Sequence, residues 1–225
     1  MHSSDIHFVH GKYHSARMNL SRSARLMRLY RFALSGHCHR VEVFLTLLGI
    51  PFVAVDVDLA GGAHREPEFL RMNPFGQVPV LEDGDTVVAD ANAILVYLAM
   101  RYGAGGSWLP RAPREAAEVQ RWLSAAASEL AHGPALARVG RLFGGAVDRA
   151  RVELLAGRLF GAMEATLAER TFLVGSAPTV ADLALYGYTA RANEGDLSLD
   201  PYPRIAQWLA RLEALPGFVP MPRVA

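Results

Sequence analysis

One cysteine, Cys38, stands alone in 225 residues, so no disulfide can close within the chain and no zinc site can be built on several thiolates. Lysine is almost as scarce. Of the 23 basic residues 22 are arginine, and Lys12 is the single amine outside the N-terminus. That scarcity removes Schiff-base chemistry and a P-loop lysine from the body of the chain. Charge of one sign is missing too. The 23 basic residues face 22 acidic ones, a net charge of +1, so no field draws the chain toward nucleic acid or an anionic membrane. No apolar run reaches the roughly 20 residues that span a bilayer. The longest, 41–57, is broken by Glu42, Gly49, Pro51 and Asp56. What is present is the ordinary composition of a folded chain, 51% hydrophobic and 20% charged, which excludes disorder and collagen.

The first 26 residues lack the apolar centre of a secretory signal and hold four of the eight histidines. They read as an N-terminal extension, with a transit segment as the minor alternative. The expected location is the cytoplasm. From Met27 to Ala33 the alternation predicts a strand, and His37 to Leu48 carries apolar residues at helical spacing that stop at Gly49. Phe52 to Leu59 predicts a second strand, giving a βαβ unit. Pro67–Arg71 makes a helical turn or two. Val78–Leu81 and Thr86–Ala89 are joined by Glu-Asp-Gly-Asp as a hairpin, and Ala91–Tyr102 is a helix. After the Gly- and Pro-rich segment 103–113 no strand pattern survives. Helices are expected over Glu115–Leu130, Val147–Leu167, Thr179–Ala192 and Pro203–Leu215. The expected organisation is an extension (1–26), an α/β domain (27–103), a linker (104–113) and an all-helical domain (114–225).

Four motifs bear on chemistry. A proline at Val78-Pro79 cannot donate to a ladder, so it is either an ordinary trans proline at a sheet edge, the commoner case, or a cis proline that turns the Val78 backbone outward toward an extended peptide ligand. Asp90 opens a helix whose unpaired N–H groups and dipole favour a carboxylate, though an N-cap alone also explains an aspartate there. Leu34-Ser-Gly-His-Cys-His-Arg40 sets a hydroxyl and a thiol at a positive helix end, which lowers the pKa of a nearby sulfur. A metal is not expected at His37-Cys38-His39, because neighbours on a helix diverge by about 100°. Thr179-Val-Ala-Asp182 is a capping-box pattern with a structural role.

In this order, LYRFALSGHCHRVEVFLTLLGIPF, EFLRMNPFGQVPVLEDGD, VADANAILVYLA and FLVGSAPTVADLALY resemble the cytosolic glutathione S-transferases, and most closely the bacterial theta-like, serine-type members. The resemblance runs from about Met27 to the C-terminus. It implies a thioredoxin-like N-terminal domain followed by an all-α bundle, glutathione as co-substrate with no metal, an electrophilic small molecule as second substrate, and a homodimer. By the same resemblance Ser35 is the catalytic hydroxyl that donates to the glutathione sulfur. Val78, before a cis Pro79, pairs with the cysteinyl backbone. His64 and Gln77 meet the glycyl carboxylate, and Asp90 and Ala91 meet the γ-glutamyl end. Ala91 departs from the family pattern, which has serine there, and a lost bond to a charged group weakens binding about tenfold or more.

Cys38 is the alternative nucleophile, which would make the chain a thiol–disulfide exchanger. A non-catalytic glutathione- or protein-binding member is the other alternative. The electrophile is expected between Phe32–Leu34 and the first helix after the linker, with Trp122, Phe218 and Met221 as apolar candidates beside Phe32 and Leu34, although ordinary core packing is the commoner role for those three.

Overall fold

The computed structural model describes residues 26–103 and 107–224. All of the expected extension except Leu26, and 104–106 of the linker, lie outside them. The first strand, β1 (Met27–Arg31), is followed by α1 (Gly36–Leu47) and β2 (Phe52–Asp56). A 3-10 turn at Ala63–Arg65 leads into α2 (Pro67–Met72), then β3 (Val80–Asp83), β4 (Thr86–Ala89) and α3 (Ala91–Tyr102). The sheet order is β2-β1-β3-β4, with β1 parallel to β2 and the other pairs antiparallel. This is the expected thioredoxin-like arrangement. Its core is Leu29 of β1, Leu81 of β3, Phe44 and Leu45 of α1, and Ile94, Leu95 and Leu98 of α3, all fully buried. Each contributes about 1.5–3 kcal/mol relative to exposure.

Only helices follow among the described residues: α4 (Pro113–Ala125), a π-helical segment (Ala126–Ala135), α5 (Leu136–Phe143), α6 (Arg149–Leu167), α7 (Val180–Ala190), a 3-10 turn (Ala192–Gly195) and α8 (Pro203–Glu213). One departure from the sequence reading is large. The helix expected to stop at Leu130 runs on through Gly133-Pro134 to Phe143. Proline removes a backbone donor, and the wider π turn around it lets the chain continue without breaking. The other departures are shorter: β1 ends at Arg31 and β2 at Asp56, each sooner than alternation suggested. The strand read over Val78–Leu81 runs instead from Val80 to Asp83, starting after a proline that has no N–H for the ladder.

The capping box forms as expected. Thr179 caps α7, and Asp182, with 0% exposure, accepts from the N–H of Thr179 at 2.8 Å and of Leu173 at 3.0 Å. It also accepts from the Thr179 hydroxyl at 3.1 Å and from Trp208 Nε1 at 2.9 Å. Burial pushes its pKa up, against the pull of those four donors. Helix α7 in turn lies against α1. A Cβ on Gly36 would fall 2.9 Å from the Tyr188 ring, and one on Gly187 would sit 3.4 Å from Gly36. The two halves of the chain therefore meet at the start of α1.

Candidate functional site

Strand β1 ends in a turn closed by the Ser35 N–H donating to Phe32 O at 2.9 Å. Ser35 keeps an extended backbone (φ −82°, ψ 120°) and caps α1, its Oγ accepting from the Cys38 N–H at 3.3 Å. The hydroxyl stays half-buried at the helix N-terminus. The Tyr188 phenol, from α7, interacts with the same side chain and is pushed up in pKa by its own burial.

Sheet register brings the other motifs to this end. Tyr30 pairs with Val80 and Val80 with Ala89, so Val78-Pro79 lies beside the end of β1, and Asp90 lies one step beyond. The cis Val78–Pro79 bond precedes the strand, outside the ladder registers. Asp90 takes a left-handed φ of 75°, costly for a residue with a Cβ, and its Oδ1 accepts from the N–H groups of Asn92 at 2.8 Å and Ala93 at 3.0 Å. Ala91 is buried beneath that helix start. Gly76, the residue before Gln77, packs close against the His64 backbone. Its φ is +59°, and a Cβ there would fall 3.0 Å from His64 O. His64 Nδ1 is buried without a protein partner, while Gln77 is exposed. The motifs thus share one end of the sheet.

Residues that the sequence reading passed over hold this arrangement. Asn73, buried, donates to Gln77 O at 2.8 Å and accepts from Phe75 N at 3.1 Å, which shapes the Asn-Pro-Phe-Gly-Gln loop. Arg40, also buried, donates to Asn92 Oδ1 at 2.7 Å, and Asn92 donates to Leu123 O at 3.0 Å, so α1, α3 and α4 are tied behind the Asp90 turn. Burial lowers the Arg40 pKa to about 10. An arginine on a helix that carries apolar residues on both sides gives no local sign of burial. Asn73 had one: an asparagine before Pro-Phe-Gly is a turn former.

Cys38 corrects an expectation. Its position near the helix N-terminus predicts a lowered pKa, but the thiol is fully buried, accepts from Phe32 N at 3.4 Å, and is pushed up to about 11 by desolvation. A buried neutral thiol is a poor nucleophile. Its neighbours turn elsewhere: His37 packs edge-on against Tyr188, and His39 bonds Val219 O at 2.9 Å and stacks on Tyr186. Burial lowers their pKa values to about 3 and about 4.

Of the apolar candidates, Trp122, Phe218 and Met221 take the core role. Trp122 is buried and donates to Leu173 O at 3.2 Å, so it belongs to the helical core. Phe218, packed on Tyr186, and Met221 are buried there as well. Phe32 and Leu34 do border the Ser35 turn. Phe32 packs on Phe143 of α5 at 5.9 Å, and Leu34 O accepts from Arg138 Nη1 at 2.6 Å. Leu136, Val139 and Phe143 leave apolar surface exposed at spacings of three and four along α5.

Two family models match the chain: "Glutathione S-transferase, N-terminal domain" over 34–101 and "Glutathione S-transferase, C-terminal domain" over 145–216. Glutathione S-transferase 3 of Zea mays is 35% identical over 203 residues, 85% of this chain and 91% of that protein. Human glutathione S-transferase theta-2 is 32% identical over 200 residues, 85% of this chain and 82% of its own. Among solved structures, the glutathione S-transferase from Pseudomonas fluorescens superposes with a TM-score of 0.82 at 34% identity, covering 88% of this chain and all of that one. A glutathione transferase homologue from Drosophila mojavensis, with bound glutathione, gives 0.74 at 28%, covering 85% and 89%. With both halves of the fold matched in order and the site motifs gathered at one end of the sheet, this chain belongs to the glutathione S-transferase family.

Proposed function

We propose that the chain is a serine-type, theta-like glutathione transferase that activates the glutathione thiolate for attack on an electrophilic small molecule. The observation that carries the reading is Ser35 capping α1 just after β1, the strand whose end lies beside Val78–Pro79, in a chain of this family. A free thiol titrates near 8.5 and is mostly protonated at pH 7. A hydroxyl at a positive helix end donates to the sulfur and favours the thiolate, and a shift of one unit corresponds to about 1.36 kcal/mol. The Val78 N–H and C=O pair with the cysteinyl backbone. His64 and Gln77 receive the glycyl carboxylate, and the α3 start at Asp90–Ala91 receives the γ-glutamyl end. The thiolate forms the new C–S bond, and the leaving group departs with the electron pair of the broken bond.

The electrophile lies between Phe32–Leu34 and the exposed face of α5, where Phe143 takes the part first given to Trp122. No metal is required by this chemistry. A homodimer is part of the reading. Phe75, 84% exposed at the tip of its loop, is the apolar group best suited to a partner subunit. The competing reading, a member that binds glutathione without turning it over, is favoured by Ala91 alone. Titration calorimetry with glutathione, run beside conjugation of chlorodinitrobenzene, separates the two. Binding with turnover supports the transferase, binding without turnover supports the carrier, and no binding at millimolar glutathione refutes both.

A further inference from the structure

Behind the Ser35 turn lies a charged residue that nothing in the sequence pattern singles out. Arg138 of α5 is 1% exposed. Its Nη1 donates to Leu34 O at 2.6 Å, and its Nε donates to Glu194 Oε2 at 2.6 Å. Glu194 uses its second oxygen to accept from Val224 N at 3.2 Å, and it lies 3.8 Å from Arg191 Nε. Arg191 in turn donates to the carbonyls of Met221 and Pro222. One network therefore joins the residue before Ser35, the helix that faces the cleft, the 3-10 turn after α7, and the C-terminal segment.

A buried guanidinium is costly unless its bonds are well formed, and replacing such a pair by apolar residues is often neutral for stability. Stability alone therefore does not account for it. Its geometry does something specific: it fixes a carbonyl. The Leu34 peptide group sets the direction in which the Ser35 Cα–Cβ bond leaves the backbone. The neighbouring bonds, Ser35 N to Phe32 O and His39 N to Ser35 O, hold the residue from within its own turn only. Arg138 is the contact that ties the Leu34 carbonyl of that turn to the helical half, alongside Tyr188 on the Ser35 side chain and Phe143 on Phe32. The π segment with Pro134 ends at Ala135, three residues before Arg138, so the irregular helix that aims Leu136, Val139 and Phe143 outward also delivers Arg138 inward.

We propose that Arg138, held by Glu194, is a positioning residue for Ser35, setting the aim of the hydroxyl at the glutathione sulfur. It touches neither substrate and acts through the Leu34 carbonyl. The inference rests on Ser35 being the thiolate donor. Misaiming a donor by about 1 Å is enough to lose a large part of its effect.

The test uses Arg138→Met combined with Glu194→Gln, which removes the cation without leaving a buried carboxylate unpaired, and Arg138→Lys, which keeps the charge but not the fork. Ser35→Ala is the reference. In each variant that keeps a cooperative thermal transition, the titration of bound glutathione is followed by thiolate absorbance, and kcat is separated from KM for glutathione. The expected result is a bound-thiol midpoint raised toward that of Ser35→Ala and kcat lower by about tenfold. KM for glutathione should stay within about twofold, and Arg138→Lys should fall between. If Ser35→Ala moves the midpoint and the double variant, folded, does not, the positioning role is refuted while Ser35 stands. If Ser35→Ala itself leaves the midpoint in place, both fall.

Discussion

Replacing Asp182 tests the packing between α7, α8 and the 171–175 turn on which the helical half depends. The carboxylate receives four donors inside a site without solvent: two backbone N–H groups, a hydroxyl and the Trp208 indole. Asp182→Ala orphans all four and opens a cavity as well. An unsatisfied buried donor costs about 1–3 kcal/mol, less where water enters or the hydroxyl rotates. A loss of about 4–5 kcal/mol is therefore expected, at the far end of what single substitutions do. Asp182→Asn keeps Oδ1 for Leu173 and Trp208 but turns an amide donor on the Thr179 N–H. About half the loss, near 2 kcal/mol, should remain. Urea unfolding at one fixed protein concentration, followed by far-ultraviolet circular dichroism and by tryptophan fluorescence, reads both values. A loss below about 1.5 kcal/mol for Asp182→Ala would refute the account of the site, as would an asparagine variant weaker than the alanine one.

Other expectations follow from single contacts. Ala91→Ser should tighten glutathione about tenfold in calorimetric titration by restoring a hydroxyl at the α3 start; an unchanged affinity would remove Ala91 from the binding account. Phe143→Ala should raise KM for an apolar electrophile several-fold, whereas Trp122→Phe should leave it unchanged and cost about 1 kcal/mol of stability through the lost Leu173 bond. His37 and His39 stay neutral in the folded chain down to about pH 3 and 4, while in the unfolded chain they protonate near 6.5. Their contribution is thus intact above pH 6.5 and lost as pH falls below it. Urea midpoints should drop from pH 6.5 toward 4, and a flat profile would contradict the burial argument. Cys38, neutral up to about pH 11, should resist iodoacetamide at pH 8 in the native protein and react once unfolded, as intact mass reads directly.

The strands and the helices of the first half were legible in the sequence because each rests on local chemistry. Asp90 and Thr179 announce caps, Glu82-Asp-Gly-Asp announces a hairpin, and Ala91–Tyr102 matches its helix to the residue. Elements that depend on distant partners were not legible. The helix expected over Glu115–Leu130 continues past Gly133-Pro134, where α6 packs against the segment and places Leu155 beside Gly133. Trp122, Phe218 and Met221 are apolar enough for either a cleft or a core, and only tertiary packing assigned them to the core. The buried Arg40 and Arg138 are indistinguishable by type from the many exposed arginines, since a guanidinium is buried by what waits for it elsewhere in the chain. Cys38 failed for a related reason: helix position argues for a low pKa, and desolvation, invisible in sequence, outweighs it.

The most direct measurement of the central claim is the pH titration of glutathione thiolate absorbance on the wild-type protein and on Ser35→Ala, each saturated with glutathione. The account predicts a wild-type midpoint one to two units below the free thiol value of about 8.5, and a return to near that value when the hydroxyl is removed. Equal midpoints in the two proteins would contradict it.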